Sequence, residues 1–550
     1  MFEEYPFPPK PYLNEFVARS ISTALWLCVL NFFLSVSYST ISCILNPTHL
    51  FSDWIIVSPH FISLLLQLNL FSCLFIVLFS CCYSLKYTLF PSRYTKIVYL
   101  FNRQSITFIL IYATLSWATV VTWRRHDYSL ISTPSDRLEE LVYLFYGFSF
   151  GLSTAFSTIS LQTNTLSFPI IQQPKLFRIQ LELFSFSKRK IVHSLLRLWF
   201  SSTFVLLSLT ALSPEWVTSY SSLSILLNVL NPLFLIKLNF IFALSLIQNT
   251  LCWRLFNISQ THAFRFPCAP SPFPSLLSLS EAVRTSSPLL THLAFQDLSS
   301  LSLHSEQRRA ALFSLDAHTG QGDNWSHVYH ACTRLLNEFI AKLEGEITEI
   351  SPDDSVTGSF YSPVRSSPQQ PVTYKSASTG AYPPTPLRGL QDRAWDQAVA
   401  ILVSVRQTLE QSFIARYFNE PLKLNIFFSA YADAGLYRWA LVSLSELSTA
   451  AYQEDKYGLI QKNLPAIINQ LLTLSNKLDG YKPPSALYSS QGATDYRVQE
   501  LNTLRAGVIA SLASCLHRIS LSYRSHLYSI GLTSEQQLKL LSLSRDYFSE

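Results

Sequence analysis

Two histidines three residues apart, His327 and His330, are the side chains best spaced to hold a metal ion, because a helix would place both on one face. No third ligand follows at a suitable spacing and no CxxC pair or Cys/His cluster occurs, so an ordinary surface or core role competes with that reading. Lys237 is the only ionisable group well inside a long apolar run. Such a charge is a functional candidate by default; the competing reading places it within two turns of a helix end, where it snorkels to the interface. Ser351-Pro352, Ser362-Pro363, Ser367-Pro368 and Thr385-Pro386 are possible phosphosites for a proline-directed kinase. Each phosphate would add about −1.5 to −2 of charge. Such dipeptides also arise by chance in Ser/Pro-rich segments. GxGxxG, P-loop and HExxH patterns are missing, and only 14 glycines occur in the chain. The expectation is no enzyme, no cofactor and no small-molecule substrate.

The elements that must position these groups fall into two halves. Six apolar runs, at 21–45, 61–85, 106–123, 141–161, 195–212 and 224–253, fill the first 255 residues, and none follow. Each is near or above the ~18–20 residues a helix needs to cross the hydrocarbon core. Lipid offers no hydrogen-bond partner, so a crossing segment satisfies its own backbone as a helix or within a closed barrel. Uninterrupted runs do not fit the alternation of barrel strands, which leaves a six-helix transmembrane bundle. Asn31, Gln67 and Asn69 are the uncharged polar candidates for hydrogen bonds between its helices. The midplane charge pairs typical of transporters are missing.

Residues 1–260 hold 17 Lys+Arg against 10 Asp+Glu, or +7, and residues 261–550 hold 24 against 25, or −1. The basic excess therefore belongs to helix-flanking loops and does not argue for nucleic-acid binding. The tail carries Lys10 and Arg19, loops two (86–104) and four (162–194) are basic, and loops one (46–60) and five (213–223) have no Lys or Arg. Loop three, with Arg124, Arg125 and Arg137, is discordant. Positive-inside logic places both termini and the second half on the cytoplasmic side. The first run exceeds a signal-peptide core and is expected to act as an uncleaved signal anchor. The sequons Asn257-Ile258-Ser259 and Asn324-Trp325-Ser326 then face the cytoplasm and are expected to stay unmodified. Cys28, Cys43, Cys73, Cys81 and Cys82 sit in apolar runs as small hydrophobes.

The second half reads as all-helical, built of stacked helix pairs or an irregular bundle. Val328, Cys332, Leu335, Leu336, Phe339, Ile340 and Leu343 repeat at helical spacing, with Asp323 or Asn324 as the cap. Further helices are expected at 392–417, 436–452, 464–474 and 496–527, and after Ser534. Pro465 suits the first turn of its helix. Residues 351–391 are rich in Ser, Pro and Thr and read as a disordered linker. The expected layout is a tail at 1–20, the bundle at 21–255, a first soluble part at 256–350, the linker at 351–391 and a C-terminal helical domain at 392–550.

A collinear set of short stretches points to one family. Phe168-Pro169-Ile170-Ile171-Gln172-Gln173 lies in the fourth loop, ahead of a basic stretch. Gln296-Asp297-Leu298, Arg308-Arg309, Phe313-Ser314-Leu315 and Asn324-Trp325-Ser326 follow in order. Asp433-Ala434, Trp439-Ala440-Leu441, Glu454-Asp455-Lys456-Tyr457-Gly458, Leu464-Pro465-Ala466-Ile467 and Leu471-Leu472-Thr473-Leu474 complete it. The chain resembles the transmembrane nucleoporins called nuclear division cycle protein one (Ndc-one) over nearly its whole length, with a linker that looks shorter than in vertebrate members. The resemblance implies a multi-pass protein of the nuclear envelope that anchors the nuclear pore complex at the pore membrane and supports pore assembly. In fungal relatives it implies spindle pole body insertion. The implied partners are the lipid bilayer, inner-ring scaffold nucleoporins, other pore-membrane proteins and, in animals, the β-propeller nucleoporin ALADIN. The alternative is a multi-pass enzyme or transporter of the endoplasmic reticulum, which would need polar groups converging near a membrane surface.

Overall fold

The computed structural model describes residues 10–45, 59–85, 89–125, 136–169, 171–184, 232–268, 277–315, 323–350, 417–420, 422–480 and 496–545. The expected crossing at 195–212, the 351–391 linker with Ser351, Ser362, Ser367 and Thr385, and nearly all of the expected helix at 392–417 lie outside them. Among the described residues the chain is all-helical, and its only strand-like pairing is a single bridge between Ser84 and Thr165.

The first half contains α1 (Lys10–Leu45), α2 (Pro59–Cys82), α3 (Arg93–Leu100), α4 (Arg103–Arg125), α5 (Asp136–Ser160), α6 (Lys175–Phe184) and α7 (Pro232–Gln260). Three stretches, Asn14–Thr40, Phe61–Cys82 and Arg103–Arg124, are long and apolar enough to cross a membrane. The expected segment 141–161 falls on α5, and the described part of 224–253 falls on α7. Lys237 lies in the first turns of α7.

The bundle is apolar on its outside. Leu25, Leu66, Leu70 and Val77 are each more than half exposed. A row of large exposed aliphatics is costly in water and neutral in lipid. Polar groups turn inward instead. Asn31 Nδ2 donates to Asn69 Oδ1 at 2.8 Å and to Ser72 Oγ at 3.0 Å, joining α1 to α2. Gln248 Nε2 donates to Ser72 Oγ at 3.2 Å, and Asn249 Nδ2 to Ser116 Oγ at 3.1 Å, so α7 joins both α2 and α4. Asn31 and Asn69 thus make the interhelical bonds expected of them, whereas Gln67 bonds Ser63 one turn away in its own helix. The α4–α5 contact is the closest: a Cβ added at Gly151 would stand 2.6 Å from the Ala113 carbonyl oxygen. Gly147, four residues earlier, lies over Trp117 and Val120. This small-xxx-small seam lets two backbones touch.

The second half contains α8 (Leu279–Ala282), α9 (Pro288–His304), α10 (Glu306–Leu312), α11 (Asp323–Ile350), α12 (Lys423–Ser429), a 3₁₀ turn (Ala430–Asp433), α13 (Ala434–Glu454), α14 (Leu464–Gly480), α15 (Tyr496–Ser522) and α16 (Ser534–Arg545). α13 forms the hub, packed against α9, α11 and α15. Leu441, Leu444, Leu447, Ile467, Leu471 and Val508 are fully enclosed around it. Burying each such side chain contributes about 1.5–3 kcal/mol.

Three expectations need correction. α11 already includes Asp323 and Asn324, so neither caps it; Asn324 Oδ1 instead accepts a hydrogen bond from Ser280 Oγ at 3.2 Å. α15 stops at Ser522, short of 527, because the chain tightens there into a turn and a 3₁₀ segment at Leu527–Ser529. That tightening lets Tyr523 donate to the Ser448 carbonyl and returns Leu527 to the core. Finally, α9 was not expected as a helix. It is enclosed on nearly every side, so its sequence shows no apolar stripe.

Candidate functional site

The two halves meet where α1 begins and α7 ends, and several residues of the collinear set gather there. The segment after α5 turns at Gln162, whose φ of 52° is left-handed. It is fastened to the end of α2: Leu166 N–H donates to the Ser84 carbonyl at 2.8 Å, and Asn164 Nδ2 to the Cys82 carbonyl at 2.9 Å. The latter bond satisfies one of the orphan carbonyls at a helix C-terminus. Asn257 of α7 grips the same segment, donating to Ser167 Oγ at 2.8 Å and accepting from Ser167 N–H at 3.1 Å.

This fastening aims Phe168 into the second half. Its ring stacks on His292 of α9 (centroids 5.1 Å apart, 21° between planes) and meets Trp439 of α13 edge-on at 5.9 Å. Aromatic pairs of this kind contribute about 0.5–1.5 kcal/mol beyond their burial. Phe168 and Trp439, far apart in sequence, are therefore one contact. Pro169, Gln172 and Gln173 turn away from it to line a neighbouring cavity, and Ile171 is exposed. Ile170 lies outside the described residues.

The acidic and basic members of the set hold the loops around this contact. Asp297, 3% exposed, accepts from both terminal nitrogens of Arg308 at 2.9 and 2.7 Å and from Phe266 N–H at 2.9 Å. Arg308 Nη2 also donates to the Phe266 carbonyl at 2.7 Å. The hydrogen bonds that Arg308 donates to Asp297 hold it above the ordinary arginine range. Arg309 reaches the other way and grips Glu454 at the end of α13 with two bonds of 3.0 and 2.6 Å. Bidentate pairs fix geometry as well as charge. Asp455 accepts from Tyr457 N–H and Ile460 N–H, and Gly458 supplies the positive φ of 67° that this turn needs. Leu464 and Leu298 are enclosed, Pro465 sits in the first turn of α14, and Trp325 is buried beside Tyr329.

Sequence reasoning missed two parts of the junction. Arg19 counted as topology charge, yet it is 4% exposed and donates to the carbonyls of Gln260 and His262, both at 2.9 Å. A buried arginine satisfied by carbonyls joins α1 to the end of α7. A second attachment lies apart from the first. Arg93 at the start of α3 pairs with Glu420 at 2.7 Å and lies over the Tyr417 ring at 4.0 Å. Leu422 N–H donates to the Pro91 carbonyl at 2.7 Å. No local pattern marks such contacts.

Beside Phe168 lies a cavity of about 260 Å³. Gln172 and Gln173 stand at its mouth, with Arg178, His262, Arg265 and Gln296 around it. Burial, and then the charges of Lys175, Arg19 and Arg178, push His262 below the ordinary histidine value. His327 and His330 lie elsewhere, on α11, and among the described residues no group of three or more His, Cys, Asp or Glu could hold a metal.

The matched region spans both halves and the junction. A family model described as "Nucleoporin protein Ndc1-Nup" matches residues 15–541. The chain is 27% identical to the human protein named Nucleoporin NDC1 over 521 residues, covering 73% of this chain and 74% of that one. It is 25% identical to the mouse protein of the same name over 584 residues, covering 82% and 85%. To the Caenorhabditis briggsae protein named Nucleoporin ndc-1 it is 28% identical over 292 residues, covering 49% and 45%. On this match the chain belongs to the Ndc1-Nup family of nucleoporins, which are structural components of the nuclear pore complex and not enzymes.

Proposed function

We propose that the chain anchors the nuclear pore complex to the pore membrane of the nuclear envelope. In this reading six helices cross the bilayer, both termini face the cytoplasmic or pore side, and the helical second half presents the docking surface. The observation that carries it is the clasp of Phe168 between His292 and Trp439. A segment fastened to the ends of α2 and α7 is gripped by the hub of the second half, so a pull on that half is passed to helices that fit a bilayer. An anchor needs that coupling, and a flexibly tethered domain lacks it. The partners follow from the family: inner-ring scaffold nucleoporins, other pore-membrane proteins and, in animals, ALADIN. Support of pore assembly, and spindle pole body insertion in fungal relatives, belong to the same reading. The residues Phe168, Gln296, Asp297, Asn324, Trp325, Trp439, Glu454, Asp455, Gly458, Leu464 and Pro465 serve it by building the junction and its core.

Proximity labelling from the C-terminus, combined with imaging of the nuclear rim, tests the proposal. The expected result is rim fluorescence with scaffold nucleoporins among the labelled proteins. Protease protection in sealed microsomes supplies the second arm: the region after residue 260 should be digested from outside, and its protection within the lumen would overturn the reading.

A further inference from the structure

We propose that the cavity beside Phe168 binds a phosphorylated polyol, the headgroup chemistry of a glycerol or inositol phosphate. The inference concerns a ligand site and does not depend on pore anchoring. Three observations carry it.

The first is Gln296. It is 2% exposed, lines the cavity, and neither its Oε1 nor its Nε2 has a hydrogen-bond partner. A buried amide with no partner forfeits its hydration without replacement, so native structures rarely keep one without an occupant. The amide needs both an acceptor and a donor from whatever fills the space. A phosphate oxygen accepts from Nε2, and a neighbouring hydroxyl donates to Oε1. A phosphodiester, which has no hydroxyl of its own, meets half of that need, and one borne on a polyol meets all of it.

The second is charge. Among the described lining residues Asp297 is the one carboxylate, and Arg308 already holds both of its oxygens. Glu15 and Glu182, whose charges act on Lys175 and Arg178, are themselves paired to Arg19 and Arg254. Arg178 and Arg265 thus face the cavity with no carboxylate of their own among the described ion pairs, and Lys175 stands near enough to press on His262. Two guanidinium groups match phosphate oxygens through paired N–H bonds. Arg178 Nη2 donates to Thr261 Oγ1 at 3.1 Å, which fixes the direction of its fork.

The third is location. The cavity opens where α7 ends and α6 begins, and Ile171, Leu176, Phe177 and Leu181 beside it are each at least half exposed. In α6, Leu176, Phe177 and Leu181 are interspersed with Lys175, Arg178 and Glu182, the pattern of a helix lying in a membrane interface. A headgroup in the cavity would have its acyl chains beside these side chains. A volume of about 260 Å³ takes a headgroup and excludes a dinucleotide.

The test uses the full chain in two arms. Native mass spectrometry after reconstitution in phosphatidylcholine, with or without phosphatidylinositol, reads the lipid source. Calorimetric titration of the detergent-solubilised chain with inositol 1-phosphate reads the soluble source. We expect retention of phosphatidylinositol over phosphatidylcholine. Both Arg265→Gln and Gln296→Leu should lower it about tenfold, the equivalent of roughly 1.4 kcal/mol, while Arg93→Gln at the distant attachment leaves it unchanged. Binding in the soluble arm alone, with the same variant pattern, supports the site and assigns it a free phosphate ester. No binding in either arm overturns the proposal, as does binding that survives both variants or falls equally with Arg93→Gln. Arg265 is exposed, so Arg265→Gln decides the matter even if Gln296→Leu does not fold.

Discussion

The two halves of this chain solve the same packing problem with opposite surfaces. Around α1, α2 and α4 the outward side chains are large and apolar, such as Leu25, Leu66 and Ile111, and the inward ones of the bundle include Asn31, Asn69, Ser72 and Gln248. Around α13 the interior is Leu441, Leu444 and Leu471, while charged pairs such as Arg309–Glu454 lie near the edge. Both halves are helical and both bury large aromatics. The difference teaches which force holds each. Water drives apolar side chains inward in the second half. In the first half lipid is as apolar as leucine, so close backbone approach and interhelical hydrogen bonds must supply the association.

The sharpest way to break the comparison is Gly151→Leu. Even a Cβ there meets the Ala113 backbone at 2.6 Å, and backbone cannot yield as a side chain can. Overpacking of this kind should cost about 3 kcal/mol or more, read as loss of the monodisperse peak in detergent size-exclusion chromatography. Gly435→Ala in the second half is its counterpart. Nothing lies within 4 Å of that Cβ, so the change should be neutral or stabilising by up to about 1 kcal/mol.

Charge pairs give the next effect. Arg308→Leu leaves Asp297, 3% exposed, with an uncompensated charge, and should destabilise the second half by about 3–5 kcal/mol in thermal unfolding. The surface pair Arg334–Glu338, with side chains 67% and 58% exposed, should yield less than about 1 kcal/mol in the same assay. Equal losses would show that burial does not set the value of charge here.

Asn31→Leu should cost about 0.6–2 kcal/mol in the first half, because it removes two interhelical bonds and leaves Asn69 Oδ1 without that donor, while Ser72 keeps Gln248. Unfolding in mixed micelles with graded denaturing detergent measures it. A gain in stability would mean that plain apolar packing suffices inside the bundle.

The smallest perturbation alters no residue. Burial pushes the Cys332 and Cys515 thiols up to about 12. A thiol with an ordinary value near 8.5 is far more ionised at pH 8, so alkylation of these two in the folded chain should run about a thousand times slower. The rates should converge with that of a free thiol once the chain is unfolded. Rapid native labelling, followed by mass spectrometry of the peptides, would place these side chains outside the core.

Legibility in the sequence follows the same division. Long apolar runs need no partner to be read, so α1, α2 and α4 are evident from composition. α13 and α14 carry a face at helical spacing and are evident from period. α9 carries neither signal, since Gln296, Asp297 and Ser299 are as buried as Leu293. The Gly147–Gly151 spacing was present as a motif, but its meaning depends on Ala113 across the seam. Phe168 and Trp439 stood out within the collinear set. That they touch is a long-range fact, produced by the turn at Gln162 and by the packing of α13 on α9, which no local pattern connects.

The second attachment, from Arg93 and Pro91 to Tyr417, Glu420 and Leu422, has a mechanical consequence. One joint lets a body swivel; two separated joints remove that freedom. With the Phe168 clasp as the other mounting, the helical half cannot rotate about a single pin and must tilt as the bundle tilts. A turn of the bundle is then carried into the helical half instead of being absorbed at the joint.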